Sequence, residues 1–382
     1  MKVKTLGELC NVTSGGTPSR SQVAYWNNGT IPWIKIGNIK GKYVGSADEY
    51  ITQEGLDNSS AKMFSKGTIL YTIFATLGEV GILTIDACTN QAIAGIAIKD
   101  YSEVLSDYLY YYLRSKKAYV NEIGRGVAQN NINMSILRGF EVPLPNISEQ
   151  RQIVSVLDTV SRIVEFRQQQ LFELDTLVKA RFVEMFGDPK DNPNGYAKRQ
   201  LKETCMVITG NTPSRAVSEY YGEHIEWIKT DNIVSGLINP TPAVESLSEK
   251  GMAVSRTVEK NSILMACIAG SITSIGRVCV TDRKVAFNQQ INAIVPGSYN
   301  VLFLYVLLQI SKEYLVEEIN MALKGILSKS KLEEKSFIVP PMELQELFAT
   351  FVEQTDKSKL SIQQSLSQLE TLKSSLMQLY FG

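Results

Sequence analysis

The chain is written twice, and that repeat limits its possible folds more than any other feature. Residues 6–20 read LGELCNVTSGGTPSR and residues 201–215 read LKETCMVITGNTPSR. Leu6 matches Leu201, Cys10 matches Cys205, and Thr17-Pro18-Ser19-Arg20 matches Thr212-Pro213-Ser214-Arg215, always 195 residues apart. Further on, Trp33-Ile34-Lys35 returns as Trp227-Ile228-Lys229, and Gly37-Asn38-Ile39 as Asp231-Asn232-Ile233. Asn90-Gln91 is echoed by Asn288-Gln289, Gln150 by Gln345, and Phe186-Gly187 by Phe381-Gly382. Solenoid repeats are far shorter than this. The chain is also too long for one ordinary core, so the repeat predicts a duplicated domain-plus-helix unit.

Both halves show the same order of elements. Alternating runs at 68–73 and 289–294 predict strands. Leu105, Tyr108, Leu109, Tyr112 and Leu113 recur at helical spacing, as do Leu304, Tyr305, Leu307 and Leu308, and both stripes are read as core. Residues 148–186 and 343–381 contain neither Gly nor Pro, each over 39 positions, which predicts two long helices. At about 1.5 Å per residue, each would span roughly 58 Å. Ser148 is placed to cap the first. Apolar residues step by three and four along both. The expected packing seam comprises Ile153, Val156, Leu157, Val160, Leu171, Leu174 and Leu177 on the first helix. On the second it comprises Leu347, Phe351, Leu366, Leu369 and Leu372, a pattern that suits a coiled coil. The expected division is a domain at 1–147, a helix at 148–186, a turn-rich linker at 187–195, a second domain at 196–342 and a second helix at 343–382.

Composition excludes more than it assigns. The chain has 39 basic and 39 acidic side chains, so net charge offers no general attraction for nucleic acid. Residues 1–147 carry 14 basic and 12 acidic side chains, and residues 196–342 carry 16 and 14, differences too small to argue from. Five scattered cysteines with no CxxC pair argue against both a disulfide framework and a zinc knuckle, and a reducing cytoplasm is expected. The opening residues lack the apolar run of a signal peptide, and the most apolar stretch, 301–308, is too short to span a bilayer. A Walker A loop is absent, and the single histidine, His224, expected on a loop beside Gly222, leaves little for acid–base chemistry. The only PP pair, Pro340-Pro341, fits a domain exit rather than a methyltransferase motif.

With these residues in view, the chain resembles the specificity subunits of type I restriction-modification systems. The resemblance rests on TSGGTPS at 13–19, the Tyr25-Trp26 pair, PWIK at 32–35, VPLPNISEQRQIVSVLD at 142–158 and MFGDP at 185–189, and it covers essentially the whole chain. The second copy departs in places, with Glu226 before Trp227 and VPPMELQ at its exit. The resemblance implies an α+β fold: two globular α/β target recognition domains separated by two long helices packed as an antiparallel coiled coil, a pseudo-two-fold internal repeat. Each domain would read one half of a bipartite, asymmetric sequence in double-stranded DNA, and helix length would set the gap between the halves. The helices would dock two modification subunits that methylate adenine from S-adenosylmethionine, and restriction subunits driven by ATP and magnesium would join them. None of those cofactors is expected on this chain, which would be a non-catalytic, cytoplasmic recognition subunit without a membrane role.

Candidate DNA contacts follow from chemistry. Base and backbone readout need Arg, Lys, Asn or Gln on exposed segments. One group is Arg20, Lys35, Asn38, Lys40 and Lys42, mirrored by Arg215, Lys229 and Asn232. The other follows a glycine break: Arg125, Gln129, Asn130 and Asn131, mirrored by Lys324, Lys329 and Lys331. The second group is preferred, because glycine permits close approach and the run is densely polar. Two other readings remain open: a coiled-coil scaffold for proteins, and a self-contained methyltransferase or nuclease with duplicated recognition domains.

Overall fold

A computed structural model of the chain describes residues 2–124, 131–317, 319 and 325–382. The chain divides into two compact units, one formed by 1–166 with 366–382 and the other by 167–365.

In the first unit, a five-stranded sheet runs in the order Cys10–Ser14, Ile93–Ile98, Ile69–Thr72, Val80–Leu83, Tyr43–Val44. Its pairings are antiparallel except the last. A four-stranded sheet runs Glu49–Ile51, Ile31–Ile34, Ala87–Thr89, Met63–Phe64, with Trp33 opposite Cys88 in a parallel pair. The second unit repeats the plan. Cys205–Thr209, Ile291–Pro296, Ile263–Ala266 and Val278–Val280 form one sheet, while Ser246–Leu247, Tyr221–Ile228, Val285–Phe287 and Thr257–Val258 form the other. Central strands of the first sheet named in each unit are buried almost throughout, which explains their apolar runs (IAGIAI, ILMA) where a half-exposed strand would alternate. His224 lies within the strand Tyr221–Ile228, not on a loop. The two apolar stripes fall on the helices Ser106–Ser115 and Val301–Ile310, which are core elements of their units.

The long helices run Ile147–Phe186 and Met342–Phe381. The first is capped by Asn146 rather than Ser148. Glu149 N–H donates to Asn146 Oδ1 (2.9 Å) and Asn146 N–H to the Glu149 carboxylate (3.0 Å), a reciprocal capping box. The repeated glutamines explain themselves one turn later. Gln150 is buried, accepts from Leu105 N–H (3.0 Å) and donates to the carbonyls of Glu103 (2.9 Å) and Pro145 (3.0 Å). Gln345 does the same for Asn300 N–H (2.9 Å) and Pro340 O (2.8 Å). Each side chain ties the start of a long helix to the start of its domain's core helix, satisfying backbone groups that burial would otherwise leave unpaired.

Each unit also contains the tail of the other half's helix. In the first, Phe381 packs against Tyr108 (ring centroids 5.3 Å) and Tyr112 (6.1 Å), beside Leu157 and with Leu376 and Met377 against the same core. In the second, Phe186 meets Phe303 (4.9 Å) and Phe348 (5.6 Å), and Phe182 meets the same two rings. Within each unit the start of one helix therefore packs against the end of the other, an antiparallel arrangement.

The packed face differs from the expected seam. Leu157 and Val160 are buried, and Ile153, Leu171, Leu174, Phe351, Leu366 and Leu369 are half-buried. Val156, Leu177, Leu347 and Leu372 are instead 40%, 48%, 57% and 47% exposed. These four lie off the buried stripe, which runs through Val164, Val178, Phe182, Phe348 and Val352. Both helices thus carry apolar residues on a second face, and spacing alone does not say which face is covered.

Candidate nucleic-acid interface

The strongest shared feature is a charged cluster built twice. In the first domain the TPSR turn delivers Arg20, the end of the strand Ile31–Ile34 delivers Lys35, and the neighbouring strand Glu49–Ile51 supplies Glu49 between them. Arg20 pairs with Glu49 (2.5 Å) and Lys35 pairs with the same carboxylate. The Arg20 guanidinium lies 3.6 Å from the Trp26 ring centroid and 5.0 Å from that of Trp33. In the second domain Arg215 binds Glu245 through two bonds (3.1 and 2.8 Å), and Lys229 joins the same carboxylate. Arg215 sits 4.4 Å from the Tyr221 ring centroid and 5.4 Å from that of Trp227. The Arg215 and Lys229 bonds hold the Glu245 carboxyl at about 2, far below its ordinary value. Lys35 and Arg20 lower Glu49 in the same direction. One carboxylate against two cations leaves each cluster a net positive charge, and the fork of each arginine is oriented before any ligand arrives.

Glycines make the frame possible. A Cβ on Gly16 would meet the Ser60 carbonyl at 2.2 Å, and one on Gly210 would meet Asn288 O at 2.2 Å, so the GG and GN turns lie flush against neighbouring backbone. Thr17 bonds Gln91, and Thr212 bonds Gln289, tying the two repeated motifs together in each domain. Trp33 Nε1 donates to Gly16 O (3.0 Å) and Trp227 Nε1 to Asn211 O (3.3 Å), so both tryptophans brace the turn.

The remaining candidates scatter. Asn38 and Asn232 cap their short turns by accepting from Lys35 N–H (2.8 Å) and Lys229 N–H (3.0 Å). Asn232 also donates to Thr241 Oγ1 (3.2 Å) and Pro242 O (3.0 Å), and it is buried. Its amide is fully used inside the domain, and the structure gives it a fold role in place of the expected base contact. Lys40 is exposed at the rim of a cleft formed with the long helices. Lys42, inside that cleft, is largely buried between Asp107 (2.7 Å) and Asp158 (2.6 Å). Burial works against its charge, but the two carboxylates outweigh it and raise the Lys42 pKa. Its charge is spent on joining domain to helix, which leaves it unavailable for the expected DNA contact. Asn131 bridges to Phe74. Lys329 and Lys331 are exposed on a short helix, Lys329–Glu334, capped by Ser328, not on a loop. Arg125, Gln129, Asn130 and Lys324 lie outside the described residues.

Sequence reasoning missed Glu49 and Glu245, the centres of both clusters, although EYIT and ESLS stand 196 residues apart and carry the signal. The five cysteines are all free and buried, and burial pushes the Cys10 thiol up to about 12. Among the described residues, no group of three or more His, Cys, Asp or Glu is placed to hold a metal.

Comparison with known proteins fits this duplicated plan. The family model for the type I restriction modification DNA specificity domain matches residues 1–176 and again 193–371. The chain is similar to the type I restriction enzyme MjaIX specificity subunit of Methanocaldococcus jannaschii, 28% identical over 412 residues, covering 100% of this chain and 92% of that protein. It is also similar to the EcoR124I/EcoR124II specificity subunit of Escherichia coli, 29% identical over 184 residues, covering 44% and 45% of the two chains. The fold is shared with the crystal structure of a type I S subunit from M. genitalium, at a TM-score of 0.61 and 16% identity, covering 100% of this chain and 96% of that one. With one DNA specificity domain in each half of its sequence, the chain belongs to the family of type I restriction-modification specificity subunits.

Proposed function

We infer that each domain reads one half of a split, asymmetric DNA sequence, and that the arginine clusters hold the DNA backbone while nearby divergent loops read bases. Specificity subunits are the non-catalytic, DNA-selecting members of type I systems. The observation that carries the finer reading is the pair of clusters. Arg20–Glu49–Lys35 and Arg215–Glu245–Lys229 share position, partners and aromatic support in two domains that differ elsewhere. A group common to two heads that read different bases cannot be the source of the difference, whereas a backbone phosphate is the same at every site.

The helices supply the second part of the function. Their length sets the unspecified gap between half-sites, as dimer spacing does elsewhere. Their uncovered residues Val156, Leu177, Leu347 and Leu372, with Phe166, Phe172, Leu360 and Leu379, support docking of modification subunits along them. S-adenosylmethionine, ATP and magnesium belong to those partners and to the restriction subunits. No helix among the described residues is long and apolar enough to cross a membrane, and action on DNA in the cytoplasm fits.

The test is methylation mapping in a host that expresses the chain with a modification subunit. A split, adenine-methylated motif is expected. Exchange of residues 1–147 for those of a relative should change one specified half and keep the other. A motif unaltered by the exchange, or altered in both halves, overturns the reading.

A further inference from the structure

Each unit has a cleft where its domain meets the long helices, and the two clefts differ in a way the fold does not require. The first has a volume of about 1230 Å³ and is lined by six cationic and three anionic side chains. Lys42 is taken up by Asp107 and Asp158, a triad that keeps one net negative charge. Glu165 is then the only lining carboxylate left against Lys40, Arg114, Arg151, Arg162 and Lys373. Arg114 has one hydrogen bond, to the Tyr110 hydroxyl (2.7 Å). Among the described residues, the side chains of Arg151, Arg162 and Lys373 have neither a hydrogen bond nor an ion pair. Burial, and then the nearness of Arg114, lower the pKa of the Lys373 ammonium and outweigh the opposing pull of Glu165 and Glu370.

The second cleft, about 320 Å³, is arranged otherwise. Lys359 is paired with Asp175, Lys312 donates to Thr273 O (2.5 Å), and Arg277 donates to the carbonyls of Ser274 (3.3 Å) and Thr230 (3.4 Å). At the repeat offset, Arg114 is replaced by Gln309 and Arg151 by Glu346, while Val178 stands where Lys373 would. Tyr43 and Tyr101, 58% and 54% exposed, stand at the rim of the first cleft. Lys357 stands at the place of Arg162 and Lys179 also lines the second cleft, but the second unit reaches the same fold without cations at the places of Arg114, Arg151 and Lys373, so folding alone does not account for those three.

We propose that the first unit's cleft binds a phosphate-bearing ligand, a nucleotide or a nucleic-acid phosphodiester, held by Arg114, Arg151, Arg162 and Lys373. Guanidinium forks match phosphate oxygens with paired charge-assisted bonds. Exposed tyrosine rings at the rim offer the face on which a base stacks. The site is separate from the arginine clusters and holds whatever bases the two domains read.

The full chain is titrated calorimetrically with inorganic pyrophosphate, and by fluorescence anisotropy with a random-sequence duplex. The variant Arg114→Gln/Arg151→Glu/Lys373→Val installs the residues of the second unit, and thermal melting confirms that it folds. A single Arg162→Gln at an exposed helix position serves if it does not. Wild type should bind pyrophosphate saturably, and the triple variant at least about tenfold more weakly. Glu165→Gln should bind more tightly. Parallel loss of random-duplex affinity, with competition by pyrophosphate, assigns the ligand as a nucleic-acid strand, and loss for pyrophosphate alone assigns a free nucleotide. Absence of saturable binding, unchanged affinity in the variants, or tighter binding of a poly-glutamate peptide at this cleft overturns the proposal. A variant that loses pyrophosphate but keeps the methylated motif separates this site from the reading domains. Saturable pyrophosphate binding that the variants weaken, together with a motif insensitive to domain exchange, would instead sink the recognition reading alone.

Discussion

The two units share one plan and diverge at their edges, and the comparison separates what builds the domain from what tunes it. Both keep a TPS arginine, a lysine after a tryptophan strand, a glutamate between them and a buried glutamine at the helix start. They differ in how strongly the shared parts are engaged. Glu245 receives two bonds from Arg215, whereas the ion pair between Arg20 and Glu49 is made through Nη2. Phe186 sits among three phenylalanines and Tyr196, Phe381 against three tyrosines. The retained parts fix geometry, and the variable ones set the strength of particular contacts.

The largest test of this comparison is in the helix tails. Phe186→Ala should cost about 3–5 kcal/mol, and Phe381→Ala, whose ring is slightly less enclosed (4% exposed against 0%), the lower end of that range. Hydrogen exchange followed separately in the two units measures this. Each loss should fall mainly in the unit that houses the ring, and a loss spread equally over both units would break the comparison.

The glutamines come next. Gln150→Leu strips partners from three part-buried backbone groups and Gln345→Leu from one buried and one part-buried group, each unpaired group costing up to about 1–3 kcal/mol. Denaturant melts should rank Gln150→Leu as the more damaging. The reverse order would mean that the second helix start depends on its glutamine more than the bonds suggest.

Smaller effects should follow at the clusters. Arg20→Ala and Arg215→Ala should each weaken duplex binding by about two- to tenfold, lower the salt slope by roughly one, and leave the methylated motif unchanged. A change in the motif would make these side chains base readers. The smallest effect concerns acid. Glu245 titrates well below an unfolded glutamate, so its contribution to stability is complete above about pH 4.5 and is lost as pH falls toward about 2. That contribution is modest because the pair is solvent-screened. NMR titration should find Glu245 ionised at lower pH than Glu49, and coincident curves would remove the distinction between the two clusters.

Much of this architecture was legible in the sequence. The repeat exposed the duplication, and the Gly- and Pro-free stretches exposed the long helices, because both signals are local. The face on which those helices pack was not legible. Val156 and Leu157 fit an apolar stripe equally well, yet only Leu157 is covered. Periodicity records that a face is apolar, and a helix with two such faces offers no way to choose. The cluster cations were found by residue type, but their carboxylate partner lies on another strand, where pairing depends on sheet register. Lys42 shows the same limit. Its sequence context suits a DNA contact, and only the fold brings Asp107 and Asp158 against it.

The exchange of helix tails bears on how the protein is made. The core around Tyr108 and Tyr112 acquires Phe381 only after the whole second domain has been synthesised. Until then the earlier unit emerges from the ribosome with an open apolar socket, exposed to chaperones and to tails of other nascent copies. Completion of the earlier-made unit thus depends on residues made after the second domain.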